Sequence, residues 1–355
     1  MNGYLHIVSN IKMRLIWRCV AMFLLWISCQ QFIYAQDLHF SQFMNSPLTT
    51  NPANTGFIPE ADYRIGVHYR SQWTSIPVPY KTSSVFGDFQ LLRNQLQNGW
   101  LGAGFVVLND VAGRGNLRSN KVYGSLAYHQ MLGLSSLLSA GVNAGYVSKR
   151  IDVTKFTFDN QWNGKFFDAA LNNGELQFAS GNTEYIDLQV GMNYAYFPNE
   201  EAYVNAGFSV HHLNQARETF FRNGTNQIAR RYIGFLNGSF KVNDDWILNP
   251  NTYFSSQARA TELVVGMNAA YNVSGNGSFV FIAGGYLRWR DAAIAMIGFE
   301  KNNIRFTFTY DATTSSLSRY NASQGAYEFS LLHQGYYQQG FADKNLKRQS
   351  LCPRF

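Results

Sequence analysis

The chain has 355 residues, is 46% hydrophobic and 16% aromatic, carries only 14% charged residues, and has a formal net charge of +7. So many Phe, Tyr and Trp exclude a disordered chain, and a slightly negative mean hydropathy means that apolar residues are interleaved with polar ones. Few charges, with 30 glycines against 8 prolines, fit a β-rich or membrane-facing protein better than a soluble helical one.

The first element in chain order is an export signal. Lys12, Arg14 and Arg18 precede the apolar run Cys19 to Ile27, and Ala35 stands before Gln36. Positive, apolar, then small is the order of a secretory signal peptide, and the run is too short to span a bilayer. Residues 1–35 are therefore expected to be cleaved, which lowers the net charge from +7 to +4. No basic cluster with interleaved aromatics remains to bind nucleic acid. Cys19 and Cys29 leave with the signal, and Cys352 alone cannot form an intramolecular disulfide or a cysteine-based zinc site.

Next comes QDLHFSQFMNSPLTTNPANTG, Gln36 to Gly56, with no two-residue alternation and no helical stripe. Pro47 and Pro52 restrict its backbone. Residues 36–61 are expected to form an ordered, non-regular segment in the periplasm or the lumen, a plug or docking strip outside the barrel wall.

From residue 62 onward the pattern is period two. Leu188, Val190, Met192, Tyr194 and Tyr196 share one face of DLQVGMNYAY, and Asp187, Gln189, Gly191 and Asn193 share the other. Such alternation predicts strands with one apolar and one polar face. They fall near 62–73, 80–92, 99–108, 119–131, 137–151, 183–196, 201–213, 231–241, 245–257, 259–273, 278–290, 291–300, 303–311 and 324–333. Fourteen is an even number, and most of these strands can cross a membrane when tilted. Long connections (109–118, 152–182, 214–230, 312–323) follow odd strands, and short ones such as PNEE and NDD follow even strands. That parity predicts a transmembrane antiparallel β-barrel over 62–333, with outer-membrane lipid around it and a periplasmic tail at 334–355. Short turns then face the periplasm, and Gly, Asn, Ser and Gln faces line the lumen. Trp100, Tyr146, Tyr196, Tyr271 and Trp289 are expected in interfacial girdles.

The sequences GVNAGY (141–146), GMNYAY (191–196) and GMNAAY (266–271) recur, read as strand composition rather than a repeated ligand site. His211 and His212 are adjacent on a strand, so they are expected on opposite faces and cannot share a metal. Ser209 shares a face with His211, but no third member completes a hydrolytic site. No catalytic, cofactor-binding or metal-binding residue is assigned. The loop 152–182, with Phe156, Phe158, Trp162, Phe166 and Phe167, is too aromatic to stand idle in water.

The opening segment followed by YRSQW (Tyr69 to Trp73) resembles the start of mature PorP/SprF proteins, outer-membrane proteins associated with type IX secretion in Bacteroidota. Gln36, Asp37, Phe40, Ser41, Gln42, Phe43, Pro47, Asn51, Pro52, Ala53, Gly56, Tyr69, Arg70, Gln72 and Trp73 occupy the matching places. YDATTSSLS (310–318), GAYEFSL (325–331) and CPRF (352–355) match at the other end, and Leu38 replaces a common proline. The resemblance implies a non-enzymatic adaptor or anchor barrel. Its partner would be a secreted surface protein with a C-terminal sorting domain, or the periplasmic ring components, in secretion or gliding. Candidate partner-contact residues are Phe40, Ser41, Gln42, Asn51, Pro52, Trp73, Trp162, Cys352, Pro353, Arg354 and Phe355. A diffusion porin is the alternative reading, and a hydrolase built on Ser209 and His211 a remote one.

Overall fold

The computed structural model describes residues 38–59, 61–74, 80–93, 95–113, 115–152, 155–168, 170–171, 181–221, 224–337 and 352–353. The expected signal peptide, residues 1–35, lies outside them, as do Arg354, Phe355 and most of the tail.

Fourteen strands follow in chain order: β1 (Tyr63–Gln72), β2 (Tyr80–Leu91), β3 (Gly99–Ala112), β4 (Leu117–Met131), β5 (Ser136–Arg150), β6 (Asn182–Asn199) and β7 (Ala202–His211) come first. β8 (Arg231–Lys241), β9 (Trp246–Gln257), β10 (Ala260–Asn272), β11 (Phe279–Arg288), β12 (Ala292–Lys301), β13 (Ile304–Thr313) and β14 (Gln324–Gly335) complete the set. Each pairs antiparallel with its neighbours, and β1 pairs with β14 from Tyr63↔Gly335 to Gln72↔Ala326. The sheet is a closed barrel with no edge, the only way for strands to cross lipid without stranding backbone polar groups. All fourteen expected strands are present, with ends shifted by a few residues.

Alternation places side chains as expected on the outer face. Ile186, Leu188, Met192, Tyr194 and Tyr196 point outward, while Asp187, Gln189 and Asn193 are buried inside. Tyr146, Tyr196, Tyr271 and Trp289 are exposed on the outer surface. Trp100 departs from the girdle reading. It is buried and its indole N–H donates to the Gly56 carbonyl (2.9 Å). The lumen also holds inward apolar residues that a water-filled pore would not keep: Ile233, Tyr253, Val264, Ile282, Tyr286, Ile294 and Met296 cluster around Phe43. Most of them face protein rather than open space. The partner that fills the barrel is the chain's own opening segment.

Candidate functional site

Residues 38–58 run down the inside of the barrel. Leu38 packs against the cluster of Leu108, Val147 and Tyr185, near the long-loop ends of their strands. Phe57 packs with Trp100, Leu137, Phe197 and Tyr203, near the short turns. Between them the chain makes a 3-10 turn (Phe43–Asn45), one turn of helix (Pro47–Thr50) and a second 3-10 turn (Pro52–Asn54). Pro47 and Pro52 each sit at the start of a turn, where a missing N–H costs nothing. The Asn51 side chain accepts from Ala53 N–H (2.9 Å) and caps the second.

A non-regular segment buried in a lumen must find partners for its backbone. The wall supplies them one by one. Carbonyls accept from Arg231 (Leu38 O, 2.9 Å), Asn143 (Leu48 O, 3.3 Å), Ser209 (Thr50 O, 2.8 Å) and Arg64 (Asn54 O, 3.4 Å). His129 Nε2–H donates to Thr55 O (2.8 Å), Trp100 to Gly56 O and Gln90 to Ile58 O (2.8 Å). Gly56 N–H donates to Asp88 (2.8 Å), which also pairs with Arg64 (2.8 Å). The polar inner face is thus an address for one particular backbone.

Ser41 and Gln42 sit on a buried ion cluster. Both their N–H groups donate to the Glu328 carboxylate (2.7 and 3.0 Å). Ser41 Oγ donates to Asp311 (2.6 Å) and accepts from Arg70 (2.8 Å) and Arg288 (2.5 Å). Arg70 also pairs with Glu328 and Asp311, and Arg288 with Asp311 (3.1 Å) and Glu262 (2.9 Å). Gln42 Oε1 accepts from Thr307 (2.6 Å) and Ser330 (2.8 Å). Buried ion pairs add little net stability over apolar packing, but each partner becomes costly to remove alone. The cluster therefore selects this seat for this segment.

His39 lies beside the cluster, with Nε2 3.6 Å from Glu262. Burial first, then the positive charges of Arg288, Arg70 and Arg231, hold its pKa well below the usual 6.5, against a smaller opposing pull from Asp311. A depressed histidine favours the seated state when neutral, so that stabilisation is present above about pH 6.5 and falls as the pH drops below it. Limited proteolysis of the segment is expected to be faster at pH 5.5 than at 7.5, and His39→Gln to remove the difference. Equal rates for the wild type at both pH values would contradict this.

Two of the three recurrent Gly-Asn sequences contact the segment. A Cβ at Gly191 would overlap the Asn51 side-chain oxygen, and one at Gly141 would meet the Pro52 backbone at 2.5 Å. Asn193 donates to Asn54 Oδ1 (2.9 Å), as Asn143 does to Leu48 O. The third sequence packs within the wall, where Asn268 donates to Tyr286 OH (2.8 Å). The repeat read as composition is, at two positions, a mould for NPAN.

Of the candidate contact residues, Phe40, Ser41, Gln42, Asn51 and Pro52 all lie inside the barrel. Phe40 stacks on His68 (4.8 Å), and Asn51 donates to Met192 O (2.8 Å) and Phe208 O (3.3 Å). Trp73 follows β1 in a left-handed conformation (φ 57°) and meets Tyr80 edge-on at 5.1 Å. Trp162 is 57% exposed. Cys352 packs at the short-turn end beside Phe57 and Tyr203, and Pro353 is buried. Ser209 donates to the Thr50 carbonyl and lies 3.3 Å from His211 Nε2, so its hydroxyl is engaged in holding the segment. His212 corrects the strand reading. β7 ends at His211, and His212 takes φ 54° and turns inward to Asp187 (2.9 Å), so both rings are buried. No three potential ligands group for a metal among the described residues. Asp88, Asp311 and Glu262 each stand alone in the sequence, with no second carboxylate close by in their strands. Their shared inward parity with Arg64, Arg70 and Arg288 was the available signal.

A closed, even-stranded antiparallel barrel with an apolar outer band and its own opening segment seated inside is an outer-membrane barrel of the filled kind. The chain belongs to the PorP/SprF family of type IX secretion system membrane proteins, whose model matches residues 32–332. No curated protein matches it. Among solved structures it is similar to the toluene transporter TbuX of Ralstonia pickettii, with 9% identity over 83% of this chain and 94% of that chain (TM-score 0.48). It is also similar to a FadL homologue of Pseudomonas aeruginosa, with 10% identity over 81% and 93% (TM-score 0.47). At that distance the likeness says nothing about what this chain binds.

Proposed function

We propose that this barrel is an adaptor of type IX secretion that holds a secreted surface protein, through its C-terminal sorting domain, at the long-loop rim. The observation that supports it most is the filled lumen. A segment whose backbone is matched group by group to the wall suits a rigid platform better than a diffusion pore, and the engaged Ser209 hydroxyl offers no nucleophile. Short turns then face the periplasm and long loops the exterior, as in other outer-membrane barrels.

The rim offers a surface for such a partner. Trp162 and Phe167 pair in a short antiparallel bridge, and Phe166 lies between them. Phe166 and Phe167 are 59% and 45% exposed. The loop is braced by Asp152 N–H donating to Gly115 O (2.8 Å) on the β3–β4 connection. Braced, exposed aromatics are what interface hot spots are made of.

Purification of the barrel from native outer membranes is expected to bring a secreted surface protein with it in near-stoichiometric amount. Substituting Trp162, Phe166 and Phe167 together by Ser is expected to weaken that complex by roughly 30-fold or more, from hot-spot losses of about 2 kcal/mol or above. A barrel that purifies alone, with its deletion leaving surface display unchanged, would defeat the proposal.

A further inference from the structure

We infer that the short-turn end of the barrel contains a binding site for an extended, uncharged polypeptide segment, occupied at its rim by the chain's own C-terminal residues. The inference stands apart from the docking role at the long-loop rim, and failure here leaves that role as it was.

Beneath the seated segment lies a cavity of about 460 Å³, bordered by Asn276, Gly277 and Asn303 of the short turns. That volume lies within the range of about 300–1,000 Å³ typical of ligand sites. Strand register lines up an amide row on its wall. Asn205 of β7 faces Asn237 of β8, which faces Asn251 of β9. Adjacent strands place such side chains about 4.8 Å apart. Asn205 Nδ2 donates to Tyr203 OH (3.0 Å) and Asn251 Nδ2 to Asn249 O (2.8 Å). The side-chain carbonyl oxygens of Asn205 and Asn237 are buried with no hydrogen-bond partner among the described residues. Acceptors of that kind are matched in folded proteins by water or by a ligand, and two in direct register on one wall suit an occupant that presents N–H or O–H donors at strand spacing.

The charges at the cavity are already paired, Arg64 with Asp88 (2.8 Å) and Arg305 with Glu300 (2.7 Å). Among the described residues nothing there selects an ion. Phe57 and Tyr203 stack at 6.5 Å and add an apolar wall. Neutral donors with small apolar groups describe both a peptide and a sugar. The structure favours a peptide, because Cys352 and Pro353 line the same cavity. Cys352 packs against the Phe57, Trp100 and Tyr203 cluster, so polypeptide already sits at the rim while the amide row beyond it keeps its unmatched acceptors.

The test uses the full-length barrel in detergent and a fluorescent pentapeptide amide, Gln-Ser-Leu-Ser-Pro, which is residues 349–353 with serine at the cysteine position. Two readings are taken: anisotropy of the peptide, and the rate of maleimide modification at Cys352 measured by mass spectrometry. Saturating peptide is expected to raise the modification rate at least threefold by displacing the chain's own end. Asn205→Leu and Asn237→Leu are each expected to weaken peptide binding about tenfold, with Asn237→Gln retaining it. Heat-dependent gel mobility checks that every variant is a folded barrel. No peptide binding with an unchanged modification rate would overturn the inference. So would equal binding by the wild type and both Leu variants, or displacement of the peptide by chitotriose, which would mark a sugar site.

Discussion

Removing residues 38–58 is expected to turn a closed barrel into a conducting one. In planar bilayers the wild-type protein should show no steady conductance, and the deletion variant a persistent open channel. Fourteen strands enclose more space than wall side chains alone can fill. What fills it here is the segment, whose Phe43 and Leu48 pack into the wall's apolar clusters and whose carbonyls take up its inward donors. The deletion also leaves Phe86, Leu137 and Ile233, now fully buried, facing water, so the apparent melting temperature is expected to fall. Gly191→Leu makes the same point without shortening the chain, because its side chain would take the space of the Asn51 amide. It is expected to give intermittent openings in a barrel of normal mobility. Steady conductance by the wild type would refute the idea of a seated plug.

Glu328→Ala is expected to unseat the segment more effectively than any other single wall substitution. Its carboxylate receives two backbone N–H groups and pairs with Arg70. Truncation leaves Arg70 buried beside Asp311 with one anion fewer and orphans two donors. Breaking one side of a buried ion pair costs about 3–5 kcal/mol, or roughly a hundredfold to a few thousandfold in the seated fraction. The readout is protease cleavage between Phe40 and Gly56 in folded barrels. The double variant Arg70→Met with Glu328→Met removes both charges together and is expected to be less damaging than Glu328→Ala alone. Additive losses in that pair would show that the cluster does not act as a unit.

The wall was legible because each strand repeats its outward apolar position every second residue, so a stretch such as Phe306, Phe308 and Tyr310 announces itself without reference to anything distant. Loop parity then fixed closure. The interior was not legible in the same way. Arg70 and Glu328 are 258 positions apart, and no local pattern joins them. Val280, Ile282 and Tyr286 face inward from a strand whose outer face, with Phe281 and Leu287, is also apolar. Such a strand shows no alternation to say which side is which. Trp100 misled for a related reason. An aromatic near a strand end reads as an interfacial anchor, and only the carbonyl of Gly56, brought in by the plug, makes it an inward donor. The opening segment was recognisable as lying outside the wall. Its place in the lumen depends on hydrogen bonds that pair it with residues up to 288 positions away.

The seat of Ser41, Gln42 and Asn45 spans the seam where the barrel closes. Apart from Arg288 on β11, their partners are Arg70 on β1 and Thr307, Thr309, Asp311, Glu328 and Ser330 on β13 and β14. These are the first strand and the last two in chain order. Ser41, Gln42 and Asn45, made before any strand, therefore wait for the last two strands before their own seat is complete. A chain truncated before β13 could pair many of its strands and still lack the Thr307, Asp311 and Glu328 partners of Ser41, Gln42 and Asn45. Contacts of such sequence separation form slowly. Clasping both sides of the seam, these three residues find their full set of partners only where β1 meets β14 in a closed cylinder.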